Sequence, residues 1–180
     1  MPKIITAKRL EGETELAQTY VRSHILFPSA VLGLVMILSG IAALVYQFIA
    51  DHYGTWTFLQ SSGLMVAGMI LGWIQTRYHR YLLREHPGFF ANRMRTFSRS
   101  GLKRGKKDTS FPEVSHAGRN WVPVGYLGGF VVLVGVSALA ALKGEVFYMA
   151  AFLLPWAGFF WAKMFFWRRV IPPVPRGRKS

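Results

Sequence analysis

Five histidines and a complete lack of cysteine bound the chemistry open to this chain. His24 stands where the first long apolar stretch begins, and His79 stands just past the end of the second. Imidazoles on the helices of a bundle can hold haem or a related pigment, so His24 and His79 are the candidate cofactor ligands. The competing role for both is hydrogen bonding to headgroups or backbone at a membrane border. His79 and His86 are seven residues apart and would share a helical face, but Glu85 is the sole acid beside them. Without cysteine there is no disulfide, no thiolate metal site and no thiol nucleophile. No Gly-x-Ser-x-Gly, His-Glu-x-x-His or P-loop pattern occurs either. These residues describe no catalytic constellation and no metal site, so a non-enzyme that requires no cofactor is expected, with a haem or pigment carrier as the alternative.

The elements that would position these side chains are membrane helices. A helix crosses the hydrocarbon core with about 20 mostly apolar residues. Ile25 to Ala50, Trp56 to Thr76, Trp121 to Leu142 and Val146 to Trp167 all meet that length. Between Ile25 and Ile49 there are fourteen Leu, Ile, Val or Phe residues and no charge. At roughly −0.3 to −0.6 kcal/mol each, they favour insertion by several kcal/mol. Lys163 can snorkel from the fourth stretch, and Gln47, Gln60 and Gln75 lie near stretch ends. No Asp or Glu falls inside a stretch, which argues against an ion-coupled transporter or proton channel.

The net charge of +14, from 22 Lys and Arg against 8 Asp and Glu, is unevenly placed. Basic residues cluster before the first stretch, between the second and third, and after the fourth. The two remaining connections hold Asp51, Lys143 and Glu145. The positive-inside rule then expects both termini and the long connection in the cytoplasm. Glu11, Glu13 and Glu15 and the missing apolar core argue against a signal peptide or a mitochondrial presequence. The expected home is the cytoplasmic membrane of a bacterium.

The expected fold is an all-α, four-helix membrane protein of two hairpins. Its parts are a cytoplasmic segment 1–24, a hairpin 25–76, a basic loop 77–120, a second hairpin 121–167 and a basic, proline-rich tail 168–180. Pro28 aligns with Pro123, and Gly33 and Gly40 with Gly128 and Gly135. A five-residue shift then matches Leu64, Ala67 and Gly68 to Leu154, Ala157 and Gly158. A parallel tandem repeat of a hairpin is one reading of this pattern; the restricted alphabet of membrane helices is the other. Within the loop, Phe90, Met94 and Phe97 recur at helical spacing among Arg93, Arg95 and Arg99. That pattern describes a basic amphipathic helix lying in the membrane interface.

Small residues carry the remaining signal. Gly68 with Gly72 and Gly125 with Gly129 form Gly-x-x-x-Gly pairs, and Gly158 with Ala162 is an equivalent small pair. Such pairs let helix backbones approach closely in lipid, either within the bundle or against a partner. Arg93, Arg95, Arg99, Lys103, Arg104, Lys106 and Lys107 form a docking surface for anionic phospholipid or an acidic partner, each contributing about 1 kcal/mol near an anionic leaflet. Their aromatic neighbours suit a membrane at least as well as nucleic acid. The function expected from these features is an accessory subunit of a larger membrane complex, in energy transduction, packing on core subunits and anionic lipid. An assembly or insertion factor with a ribosome- or partner-binding loop is a further alternative, and the glycine faces also allow a homo-oligomer.

Overall fold

The computed structural model describes residues 12–50, 53–100 and 119–168, the side chains of 95–100 and 119 excepted. The described residues are helical and contain no strand. Four helices are long and apolar enough to cross a membrane: α1 (Gly12–Ala50), α2 (Thr55–Glu85), α4 (Val122–Leu142) and α5 (Tyr148–Arg168). The shorter α3 (Pro87–Ser100) follows α2 directly. Their length and composition are those of a multi-pass membrane protein. Leu34, Leu38, Val45, Phe48, Ile49, Leu127, Val131 and Leu139 stand exposed on the flanks, an apolar surface too extensive for water.

The helix α1 is longer than its apolar stretch. It begins at Gly12 and runs on through a π-helical turn, Val21–Leu26, before the regular helix from Phe27. Pro28 explains the turn: it offers no N–H, and its ring would crowd the carbonyl four residues back. The chain widens instead, and Phe27 N–H donates to the Arg22 carbonyl. At 39 residues α1 is about 58 Å long. Its first three turns therefore project past the apolar stretch.

The centre of the bundle is α5. Its most extensive contacts are with α2, then α1, while α4 touches α5 and α2 more lightly. The α2–α5 contact is backbone against backbone. A Cβ at Gly68 would collide with the Pro155 carbonyl and lie 3.0 Å from Phe159 N. Reciprocally, one at Gly158 would collide with the Met65 carbonyl and lie 3.2 Å from Met69 N. One turn on, a Cβ at Gly72 would collide with the Phe159 carbonyl and lie 3.0 Å from the Ala162 Cβ. Gly68 and Gly72 thus meet Gly158 and Ala162 within one chain. The helix α1 approaches α5 through Gly33 and Gly40, whose added Cβ atoms would meet Phe160 Cβ at 3.2 Å and Leu154 Cδ2 at 3.1 Å. Their counterparts on α4 differ: Gly128 and Gly135 have no neighbour within 4 Å.

Each end of the bundle has its own lock. At the end of the short turns, the Glu145 carbonyl accepts from Gln47 Nε2 at 2.9 Å and from Thr57 Oγ1 at 3.0 Å. Phe147 N–H donates back to Gln47 Oε1 at 2.9 Å. Gln47, expected to look to water or headgroups, is instead buried and bonded by the protein. At the opposite, basic end, Ala17, Tyr20, Val21, Leu82, Leu83, Phe90 and Trp167 form a second core. Trp167, the last residue of the fourth apolar stretch and so of a type and place common to interfacial belts, is wholly buried here. Phe90 is 1% exposed and Met94 packs on the same core. The apolar face of α3 is therefore covered by the bundle at these two positions; Phe97 lies outside the described side chains.

Two substitutions test this packing. Gly158→Ala should destabilise the folded protein by about 1–3 kcal/mol, because the Met65 backbone must move. Gly128→Ala should be neutral or stabilising by up to about 1 kcal/mol. Denaturant unfolding in detergent, followed by circular dichroism, reads both. Gln47→Leu should cost about 1–3 kcal/mol in the same assay, since it strands the buried Phe147 N–H.

Candidate functional site

Because α5 is drawn tightly to α2 by glycine while α4 stands off, a groove opens between the three helices. Its volume is about 350 Å³. Leu71, Ile74 and Tyr78 of α2, Gly125, Gly129 and Phe130 of α4, and Trp156 and Phe159 of α5 supply its apolar walls. The Trp156 and Phe130 rings meet at a centroid distance of 5.9 Å across α4 and α5. Among the α4 glycines Gly129 alone has a neighbour, with Leu71 Cδ2 of α2 at 3.9 Å from where its Cβ would stand.

Polar groups gather toward the basic end of this groove. Tyr126 OH lies 2.8 Å from His79 Nε2, and Gln75 lines the groove beside Tyr126. With the Tyr126 hydroxyl as the donor, the imidazole carries its proton on Nδ1; that atom and Gln75 Oε1 are both buried without a partner. An acceptor and a donor are thus left unspent within one polar cluster.

His79 sits three residues beyond the apolar stretch that ends at Thr76. Its ring is half-buried, and Lys163 and Arg93 are the charged groups that act on it. Lys163 lies one turn beyond Phe159 on the same face of α5, its Nζ 5.0 Å from the centre of the Phe159 ring. It was expected to snorkel outward, but it is half-buried, and among the described residues no carboxylate pairs with it.

The other cofactor candidate is elsewhere. His24 is exposed on the π turn, its Nδ1 2.7 Å from Ser23 Oγ and its ring stacked on Tyr20 at 4.9 Å. Between His24 and His79 run Tyr20 and Phe90, which is 5.9 Å from Tyr20 and 6.2 Å from His79. The two histidines join one row of rings across the basic end rather than facing a shared gap. Arg93 is exposed, with its guanidinium 4.6 Å from the centre of the Phe89 ring. Arg95 and Arg99 are on α3, but their side chains lie outside the described residues, as do Lys103, Arg104, Lys106 and Lys107 entirely. On the other side of α2, Arg77, Arg80 and Arg84 line a second cavity of about 420 Å³ with Trp73, Glu85 and Phe166. No group of three or more His, Asp or Glu side chains among the described residues could hold a metal ion.

His79 and Gly129 of this site stand out in the sequence, whereas Tyr126, whose link to His79 spans 47 positions, does not. A tyrosine one turn inside an apolar stretch was the available signal. The chain matches no protein-family model, no curated protein and no solved structure. Nitrogen-15 spectra of the histidine-labelled protein test the hydrogen bond between the His79 imidazole and Tyr126. Tyr126→Phe should shift the Nε2 resonance of that same imidazole.

Proposed function

We propose that this chain is an accessory, structural subunit of a larger membrane complex, of the kind that serves energy transduction. The observation that carries the reading is the outward face of α4. Gly128 and Gly135 lie seven residues apart on it, with nothing within 4 Å, among exposed Leu127, Val131, Val132 and Leu139. In lipid, small residues allow close backbone approach and so favour helix association. Within this chain the equivalent positions on α1, Gly33 and Gly40, are already filled by α5. A helix of a core subunit seated against α4 would do there what α5 does for α1.

The distribution of charge supports a bacterial cytoplasmic membrane with both termini inside. On that reading the basic end faces the cytoplasm, where its arginines and lysines attract anionic lipid. A haem or pigment role receives less support from the geometry. Ligation through His79 Nε2 would break its bond to Tyr126, and His24 and His79 stand at opposite ends of a row of rings rather than across a shared gap.

Absence of native cysteine makes the test direct. Single cysteines at Gly128→Cys and Gly135→Cys, oxidatively or bifunctionally crosslinked in native membranes, should each capture another membrane subunit. Purification in mild detergent should recover that same subunit in stoichiometric amount. A lone monomer in both experiments would overturn the proposal, and a crosslink between two copies of this chain would replace it with self-assembly.

A further inference from the structure

The groove between α2, α4 and α5 differs from an ordinary crevice between lipid-facing helices in what lies at its basic end. Its length is apolar, but Gln75 and Tyr126 line that end, His79 stands behind Tyr126 at 2.8 Å, and Lys163 lies over the ring of Phe159. No carboxylate lines the groove. A half-buried ammonium without an acid is costly in a low-dielectric setting, and the Phe159 ring offsets only part of that cost. The unpartnered donor at His79 Nδ1 and the Lys163 ammonium call for an acceptor bearing negative charge. Arg93, whose charge acts on His79, adds to the same field.

We propose that this groove binds one anionic glycerophospholipid, with an acyl chain between α4 and the α2–α5 pair and the headgroup phosphate at Lys163 and His79. Three features fix that occupant. The first is sign: two cations and no acid favour a headgroup of net negative charge over a zwitterion, whose ammonium they would repel. The second is size, since about 350 Å³ is at the small end of ligand cavities, which run from about 300 to 1,000 Å³. A single chain fits that space while the second lies on the exposed flank. The third is shape. Gly125 and Gly129 leave a gap in the α4 wall between the side chains of Tyr126, Phe130 and Leu133, and Trp156 and Phe159 form the opposite wall.

No partner subunit is needed for this site, so it stands or falls separately from the subunit role proposed above. The full chain reconstituted in phosphatidylcholine nanodiscs, with a minor fraction of chain-brominated phosphatidylglycerol, provides the test. Bromine quenches indole fluorescence on contact, and the Trp156 contribution is the difference between the native protein and Trp156→Phe. Brominated phosphatidylglycerol should quench Trp156 with about fivefold preference over brominated phosphatidylcholine for each cation engaged. Lys163→Leu should lower the preference, and Lys163→Arg should keep it. Gly129→Leu, which fills the groove without touching the charges, should remove Trp156 quenching by either lipid. Equal quenching by the two lipids in the native protein would overturn the proposal, as would a preference that survives Lys163→Leu unchanged. Should Lys163→Leu fail to fold, undiminished quenching in Gly129→Leu would overturn it instead.

Discussion

The contact between α2 and α5 is a backbone contact, and the rest of the bundle is arranged around it. In water such a pair would be drawn together by burial of apolar side chains. In lipid that driving force is absent, and close packing has to supply the attraction. Gly68 and Gly158 do so reciprocally, each lying over the other helix at residues that sit ninety positions apart in sequence. Gly72 and Ala162 continue the seam by one turn. Pro155 belongs to the same contact: its carbonyl is the atom that Gly68 accommodates. With this seam closed, α5 is held centrally, α1 can seat on its other side through Gly33 and Gly40, and α4 receives only the periphery.

That order of packing generates the groove. If α4 approached α2 as α1 approaches α5, the space beside Leu71 and Trp156 would close; on the other face of α4, Gly128 and Gly135 are open as well. Their openness leaves one helix of four weakly held by its own chain. The same looseness gives a surface to an external helix on one side of α4 and a cavity to a small amphiphile on the other. Both proposals thus have a common origin in the asymmetry between α1 and α4.

Much of the architecture was legible in the sequence because the membrane solvent imposes length and composition on a helix. The apolar stretches and the small pairs at Gly68 and Gly158 declare themselves without knowledge of neighbours. The destination of each polar side chain does not. Gln47 was read as a border residue because its partners, the Glu145 carbonyl and the Phe147 N–H, lie about a hundred positions away and carry no side-chain signature. Trp167 resembled a belt residue for the same reason: type and position near a stretch end are shared by interfacial and buried tryptophans. For α3 the amphipathic pattern identified the helix but not what its apolar face meets. Phe90 packs on Tyr20 and His79 rather than needing lipid. The π turn is explicable from Pro28 once seen, yet a proline near a helix start is equally compatible with a regular first turn.

The two polar ends show most clearly where chemistry can reside. At the end of the short turns, Gln47 spends both its amide nitrogen and its oxygen on the main chain, and Thr57 shares the same carbonyl. That network is closed, and it reads as structural: every member serves to hold the α4–α5 turn against α1 and α2. The basic end has no such closed network. Gln75 Oε1 and His79 Nδ1 remain without partners there, as Gln60 Oε1 does farther along α2, although each would gain from a bond. What sets the basic end apart is the company these groups keep: Lys163, which pairs with no carboxylate among the described residues, and an apolar groove leading away from them. The proposed phospholipid would supply the acceptor that this combination lacks.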